Sequence, residues 1–425
     1  MLASMSDKKI GTRYACYDIL RKIQENKAYS NLIMSNLKES YGLDQMERRF
    51  VRSLVLGVLE RQMLLDYILS FFINKKADAE IQLLLRIGLH QQLFMEVPPS
   101  AACNETVKVA KAVFDRSRAG FINGVLRNIG RSEKKVADAL ESAPPHIKYS
   151  VNESIYKLLN EQYGDKAEKI LAAFIGRKPL LLRVNTLKIN TIDLVEKLVR
   201  RGVEAEFLSE TTVTIGKGSS HVIERLKKGE YFIQGLGSQK AVALLAAAKG
   251  QTVVDVCACP GGKSFGAAID MENKGLVISL DIHEKKLPLI DRYSDLLGID
   301  IITTRAFDSR QVYPELVEKA DRVICDVPCS GLGVISAKPE IRYKSVEDFG
   351  GLYQTQRRII SSASKYLKSG GIMVYSTCTL NRHENEEIVA GFLADNNGFE
   401  LVYERTYFPF DEVGEGFYIA KIVRK

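Results

Sequence analysis

The 425 residues include no tryptophan, no proline before Pro98 and no C-x-x-C pair. No uninterrupted apolar run approaches the ~18 residues of a spanning helix. The first twenty residues, MLASMSDKKIGTRYACYDIL, lack the apolar core of a signal peptide, so a cytoplasmic protein without membrane partners is expected. Seven cysteines (16, 103, 257, 259, 325, 329 and 378) form an odd set without the regular spacing of a disulfide framework, which points to reduced thiols. Zinc is disfavoured as well. Cys257 and Cys259 form only a C-x-C pair, and His383 is the one histidine near Cys378 in sequence, so no metal is expected. No heptad pattern is present, leaving monomer as the expectation.

What remains is an ordinary globular composition, 46% hydrophobic and 26% charged, long enough for about three cores. Of the net charge of +8, residues 1–140 carry +7, from 22 Lys+Arg against 15 Asp+Glu. Such a bias suits a polyanion, although a solvated helical surface gives the same count.

From about residue 8 to 132 the pattern is helical. Val51, Leu54, Val55, Val58 and Leu59 fall at i, i+3, i+4, i+7 and i+8, and Ile81, Leu84, Leu85 and Leu89 repeat the stripe, which reads as core. Ser142-Ala143-Pro144-Pro145 cannot continue a helix and is read as a linker. After a further helical stretch over 148–176, Leu180 to Asn185 reads as a strand, followed by a helix that Thr191 can cap. Short strands near 205–208, 213–215 and 231–234 complete a small α+β unit. Beyond Gly237, a helix over 241–248 precedes strands near 252–256, 276–280, 299–304, 321–325 and 371–376, separated by helices. Alternating β and α implies a mostly parallel, doubly wound sheet, Rossmann-like in class. The expected domains are 1–142, all α; 143–235, helices plus the α+β unit; and 236–425, α/β.

In such sheets ligands bind beyond the carboxyl ends of the strands. The first strand ends in Asp255-Val256-Cys257-Ala258-Cys259-Pro260-Gly261-Gly262-Lys263-Ser264, where paired glycines let the backbone approach a ligand and the next helix offers free N–H groups. Asp281, after the second strand, stands at about the offset at which an acid accepts ribose hydroxyls, and Asp308, after the third, can accept from an adenine amino group. CACPGGKS matches neither GxGxxG nor the Walker pattern, so ATP binding is not expected.

The fourth strand ends in Asp326-Val327-Pro328-Cys329 and the fifth in Ser376-Thr377-Cys378-Thr379-Leu380, so two thiols project from neighbouring strand ends. C5 of cytosine is a poor nucleophile. Adding a thiolate at C6 makes the ring enamine-like, and C5 can then take a methyl group from a sulfonium donor. A free thiol is only a few per cent ionised at neutral pH, so a nearby cation is needed, and Lys263 is a candidate. Asp326 can hydrogen-bond the ring near N3 and relieve developing charge. A second acid/base group, Cys329 or water, must help the C5 proton leave and the thioether break. Spacing does not apportion these roles, and buried inert thiols are the plain alternative.

Taken together and in order, CACPGGK, DIH, DVPCSGLG and STCTL closely resemble the Sun/Nop2 family of RNA cytosine-C5 methyltransferases, and the helical front module resembles the antitermination factor NusB. The likeness to the bacterial members acting on small-subunit ribosomal RNA runs over nearly the full length. It implies S-adenosyl-L-methionine as cofactor, ribosomal RNA as partner, Cys378 as nucleophile and Cys329 as the residue assisting product release. It further implies that Cys257, Ala258, Cys259, Pro260, Gly261, Gly262, Lys263, Asp281, Asp308 and Asp326 line the cofactor site, with the front module and middle unit handling RNA. Three positions depart from the family pattern: Cys259 for alanine, Gly235 for aspartate after glutamine, and Tyr343 for tryptophan. Gly235 and Tyr343 are expected near segments that frame the RNA. The rivals are a NusB-like RNA-binding protein with an inactive methyltransferase scaffold, a class I methyltransferase for protein or small molecules, and a DNA cytosine methyltransferase attacking through the PC cysteine. The leading reading requires both sulfurs to face one shared pocket; either one buried among aliphatic neighbours, or the two held far apart with no room for a pyrimidine between them, would overturn it.

Overall fold

The computed structural model describes residues 11–26, 34, 37–74, 77–176, 178–217, 222 and 228–425, so the expected helical start at residue 8 lies outside it. The chain divides into two compact units, one of residues 1–161 with 335–345, the other of 162–334 with 346–425.

The first unit is helical: α1 (Thr12–Asn26), α2 (Leu37–Tyr41), α3 (Gln45–Glu60), α4 (Gln62–Ser70), α5 (Ala79–Phe94), α6 (Pro99–Val113), α7 (Arg116–Gly130), α8 (Glu133–Ser142) and α9 (Pro145–Lys148), with α10 (Glu153–Tyr163) beginning there. Asp44 and Glu47 close a capping box at the start of α3, a device that contributes about 1 kcal/mol. The stripe Val51, Leu54, Val55, Val58 and Leu59 is buried as its spacing predicts. Helix α5 is enclosed on more sides than an amphipathic stripe implies, with Leu83, Ile87, His90 and Gln91 buried too. Pro144 and Pro145 do interrupt the helix, but the second starts the short α9, since proline is tolerated in a first turn. The segment 335–345 packs within this unit. Arg342 is fully buried and donates to the Tyr149 carbonyl at 2.9 Å, and its own carbonyl accepts from Asn152 N at 2.7 Å. Tyr343, expected near a segment that frames the RNA, donates its hydroxyl to the Leu59 carbonyl and accepts from Gln62 N at 3.3 Å.

The second unit holds α11 (Lys166–Ala173) and two sheets. The smaller, β1 (Leu180–Val184), β2 (Ala205–Ser209), β3 (Thr212–Ile215) and β4 (Tyr231–Ile233), is antiparallel with order β2-β3-β1-β4 and is covered by α12 (Thr191–Val199). The cap of α12 is Asn190, accepting from Asp193 N, and not Thr191, which lies inside the helix and donates to the Glu210 carbonyl. Polar links join this small α+β unit to the helices that flank the larger sheet, among them Arg183 to Asp270 at 2.5 Å, Asn185 Nδ2 to the Leu297 carbonyl at 2.8 Å and Thr212 Oγ1 to Gln239 Oε1 at 2.7 Å.

The larger part runs α13 (Leu236–Leu245), β5 (Thr252–Asp255), α14 (Gly262–Asp270), β6 (Leu276–Asp281), α15 (Leu287–Leu297), β7 (Ile302–Ala306), β8 (Ala320–Asp326), α16 (Gly350–Ser364), β9 (Leu367–Thr377), α17 (Glu386–Asp395), β10 (Phe399–Tyr407) and β11 (Phe417–Arg424). Strand order is β10-β11-β9-β8-β5-β6-β7, parallel from β9 to β7 with an antiparallel hairpin added at the other edge. The chain starts in the middle at β5, moves outward through β6 and β7, then returns to β5's other side with β8. That reversal opens the crevice where open α/β sheets bind ligands. Several expected bounds shift: β9 begins at Leu367 and α13 at Leu236, ahead of the expected 371 and 241. Helix α13 stops at Leu245 because Ala246 takes a left-handed backbone, and β7 starts at Ile302, not 299, because Gly298 ends α15 left-handed and Ile299 N bonds back to Ser294.

Candidate functional site

At the carboxyl end of β5 the chain turns sharply, held by Val256 N to the Ile324 carbonyl at 3.0 Å and Ala258 N to the Leu280 carbonyl at 2.8 Å. Gly261 adopts φ +107°, which disfavours any side chain there, and α14 begins immediately after it. Asp281, from the end of β6, reaches back and accepts from Cys259 N at 3.0 Å and His283 N at 2.9 Å. Each of its oxygens keeps lone-pair capacity for a further donor. Asp308 does not stand open: Arg310 grips it at 2.6 Å, and that hydrogen-bonded guanidinium holds the carboxyl below its usual range.

Whether this turn suits a charged cofactor is tested by Gln234. Its amide is 7% exposed, neither Oε1 nor Nε2 has a hydrogen-bond partner among the described residues, and Nε2 is 3.3 Å from where a Cβ on Gly262 would lie. Leaving such groups unmet costs about 1–3 kcal/mol apiece, so a ligand that completes them is favoured. A zwitterionic amino-acid group, lying against a helix N-terminus, matches an amide that offers both a donor and an acceptor. The residues present therefore fit S-adenosylmethionine.

Next to this turn lies a charged pair. Lys263 Nζ donates to Asp326 Oδ2 at 2.6 Å and Ser238 Oγ at 3.1 Å, and Ser376 Oγ donates to Asp326 Oδ1 at 2.7 Å. Burial opposes the charge on Lys263, but Asp326, Asp255 and Cys378 outweigh it and hold the ammonium's pKa above its ordinary value. Behind them Asp255 is buried against Ser264, 2.6 Å away, and burial pushes its pKa up to about 7.

Strands β8 and β9 deliver the two thiols. The Cys329 and Cys378 sulfurs lie 3.2 Å apart, both partly exposed. They touch each other, so the two sulfurs are not held apart. The hydrogen bond with Cys378, followed by burial, raises Cys329's pKa well above the ordinary thiol value, so Cys329 keeps its proton. Cys259 is no second nucleophile: burial, then the Asp281 charge, pushes its thiol up to about 12. Cys257 is raised too, by burial.

Three further residues carry no motif signal. Glu384, 0% exposed, accepts from Ser330 N at 2.8 Å, Ser330 Oγ at 2.5 Å, Gln356 Nε2 at 3.0 Å and Asn381 Nδ2 at 3.1 Å, tying the Cys329 turn to the Cys378 turn. Read from sequence it is one acid in the polar run NRHENEE, indistinguishable from a solvated charge; its one clue is its place just past a strand end. Glu415 accounts for the glycine at 235: a Cβ there would run into the Glu415 carboxylate, which accepts from Gly237 N at 3.2 Å. Gln234 was visible only as the glutamine before that glycine.

Comparison with known proteins gives a consistent result. Residues 242–423 match the model described as 16S rRNA methyltransferase RsmB/F, 11–131 the NusB family, and 153–217 a ferredoxin-like domain of RsmF/B-like methyltransferases. A probable ribosomal RNA small subunit methyltransferase B of Bacillus subtilis is 36% identical over 403 residues, covering 92% of this chain and 90% of the relative. Another from Synechocystis is 30% identical over 407 residues, covering 91% and 90%. A methyltransferase homolog from Pyrococcus horikoshii, solved crystallographically, superposes with a TM-score of 0.59 at 26% identity, over 66% of this chain and 98% of that one.

Proposed function

The chain belongs to the RsmB/F family of 16S rRNA methyltransferases, enzymes that use S-adenosylmethionine, and from that membership we propose that it methylates C5 of a cytosine in small-subunit ribosomal RNA through a thioether at C6. The observation that carries this reading is the thiol pair, 3.2 Å apart at adjacent strand ends beside the Lys263–Asp326 ion pair. A protein or small-molecule methyltransferase has no use for two such sulfurs.

In this mechanism Cys378 is the attacking sulfur. Cys329, in contact with that sulfur, can donate a hydrogen bond to it, and Lys263 adds positive charge nearby, the two arrangements that stabilise a thiolate. Addition forms the S–C6 bond and pushes electron density toward N3 and C5. Asp326, fixed by Lys263 and Ser376, is assigned to the N3 edge, where a shared proton relieves that charge. When bound, the cofactor supplies an electrophilic methyl group, with Cys257 to Lys263, Asp281, Asp308 and Asp326 as the residues assigned to hold it. Loss of the C5 proton and departure of the Cys378 sulfur then restore the aromatic ring, and Cys329, in contact with that sulfur, assists release. The NusB-like module and the small α+β unit are assigned to RNA.

Substituting each thiol tests the assignment. Cys378→Ala should abolish both methyl transfer and covalent RNA capture, whereas Cys329→Ala should accumulate a protein–RNA adduct on a denaturing gel. An adduct that persists in Cys378→Ala and vanishes in Cys329→Ala would reverse the roles and favour the DNA-type chemistry.

A further inference from the structure

Helix α16 has two faces of different chemistry. Its inner face carries Ile359, Ile360 and Ala363 into the core and Gln356, whose amide donates to the Pro328 carbonyl at 2.9 Å, directly beside Cys329. Its outer face carries Arg357, Arg358 and Ser361, and Lys365 caps its C-terminus, all exposed. These four, with Arg310, Val312 and Ser362, line a shallow basin. The floor is tied to the cofactor turn: Ser362 donates to the Ser309 carbonyl, and Ser309 Oγ donates to the Val256 carbonyl at 2.6 Å.

The basin's charge is unbalanced. Arg310 is matched by Asp308, whose charge also acts on Arg358, but among the described residues no carboxylate forms an ion pair with Arg357 or Lys365, and Glu318, whose backbone bonds to Lys365, has its side chain taken by Arg424 at 2.5 Å. Arg357, Ser361 and Lys365 recur at i, i+4 and i+8 along one line about 12 Å long. Over that length a nucleic-acid strand presents about three phosphates. Guanidinium, hydroxyl and ammonium donors are the groups that contact phosphate oxygens, and no aromatic ring lines the basin to stack a base.

We propose that the outer face of α16, with Arg310, docks the phosphodiester backbone of the RNA substrate next to the catalytic turn. The inference rests on the RNA-methylating reading above. It adds where the strand lies: on the far side of a helix about 10–12 Å thick whose near side holds the Cys329 loop. The contact is sequence-independent and sets register, leaving choice of base to the thiol pocket.

The test measures binding of a labelled small-subunit ribosomal RNA transcript by fluorescence anisotropy across KCl concentrations, with the full chain. R357A/K365A should bind about tenfold more weakly at moderate salt, with the slope of log Kd against log salt shallower by about 1–2. KM for RNA should rise at unchanged kcat, and affinity for S-adenosylhomocysteine should not move. R357K, which keeps the charge, should bind nearly as the parent chain does. Unchanged affinity and slope in a folded R357A/K365A overturn the proposal. So does saturable binding of inorganic phosphate that this variant loses while RNA affinity stays intact, since that marks a small-anion site. A parent chain that binds RNA yet makes no 5-methylcytosine sinks the catalytic reading instead and leaves the docking surface standing.

Discussion

Gln234 shows how one side chain can report a ligand before any ligand is seen. A buried amide with neither atom satisfied is uncommon, and its position against Gly262 gives it a chemical addressee. Gln234→Ala is expected to weaken S-adenosylmethionine binding by about tenfold in calorimetry, the value of a hydrogen bond to a charged group, while RNA affinity stays level. Equal donor affinity in the two proteins would show that the amide faces something else. Asp255 makes a second prediction at this scale. Burial raises its folded pKa to about 7, so from about pH 4 upward the unfolded chain loses a proton that the folded chain keeps, and stability falls as pH rises toward 7. Asp255→Asn removes that dependence. Melting temperatures of the two proteins should diverge in the variant's favour between pH 4 and 7, and parallel curves would contradict the shift.

Among elements, the strand ends carry the chemistry and the turns after them carry the geometry. The loops after β8 and β9 are laced by Glu384 and by Gly333 N to the Cys378 carbonyl at 2.9 Å, so the two sulfurs are placed by one shared network. Glu384→Gln puts an amide donor among groups that already donate to it. Covalent RNA capture should slow by about 10²-fold, as for a reacting group displaced by an ångström, with donor affinity unchanged; capture at the parent rate would reduce Glu384 to a structural role. The parallel strands were legible because a strand covered on both faces must be apolar throughout, and the Gly, Pro, Cys and Asp that follow mark where it stops. The β10–β11 hairpin was not, since Phe399–Tyr407 alternates partly buried with exposed positions and reads equally as surface. The cysteines and Lys263 were visible as motif residues. Glu384, Gln356 and Glu415 were not, because an isolated acid or amide gains meaning only from partners tens of residues away in the chain.

At the scale of the molecule, charge and topology separate two tasks. The basic excess of the front module, legible in composition alone, lies in the helical unit, while the reactive groups gather at the crevice where the strand order of the larger sheet reverses. No helix among the described residues is long and apolar enough to cross a membrane.

The allocation of residues 335–345 bears on how the protein is made. Asn152 and Tyr149 await a carbonyl and a guanidinium that are translated nearly two hundred positions later, so the helical half emerges from the ribosome with a vacancy. Its finishing piece arrives only once β8 and the Cys329 turn have been synthesised. The helical half is therefore completed by a stretch borrowed from within the other half's sequence, and no single cut of the polypeptide yields two whole domains.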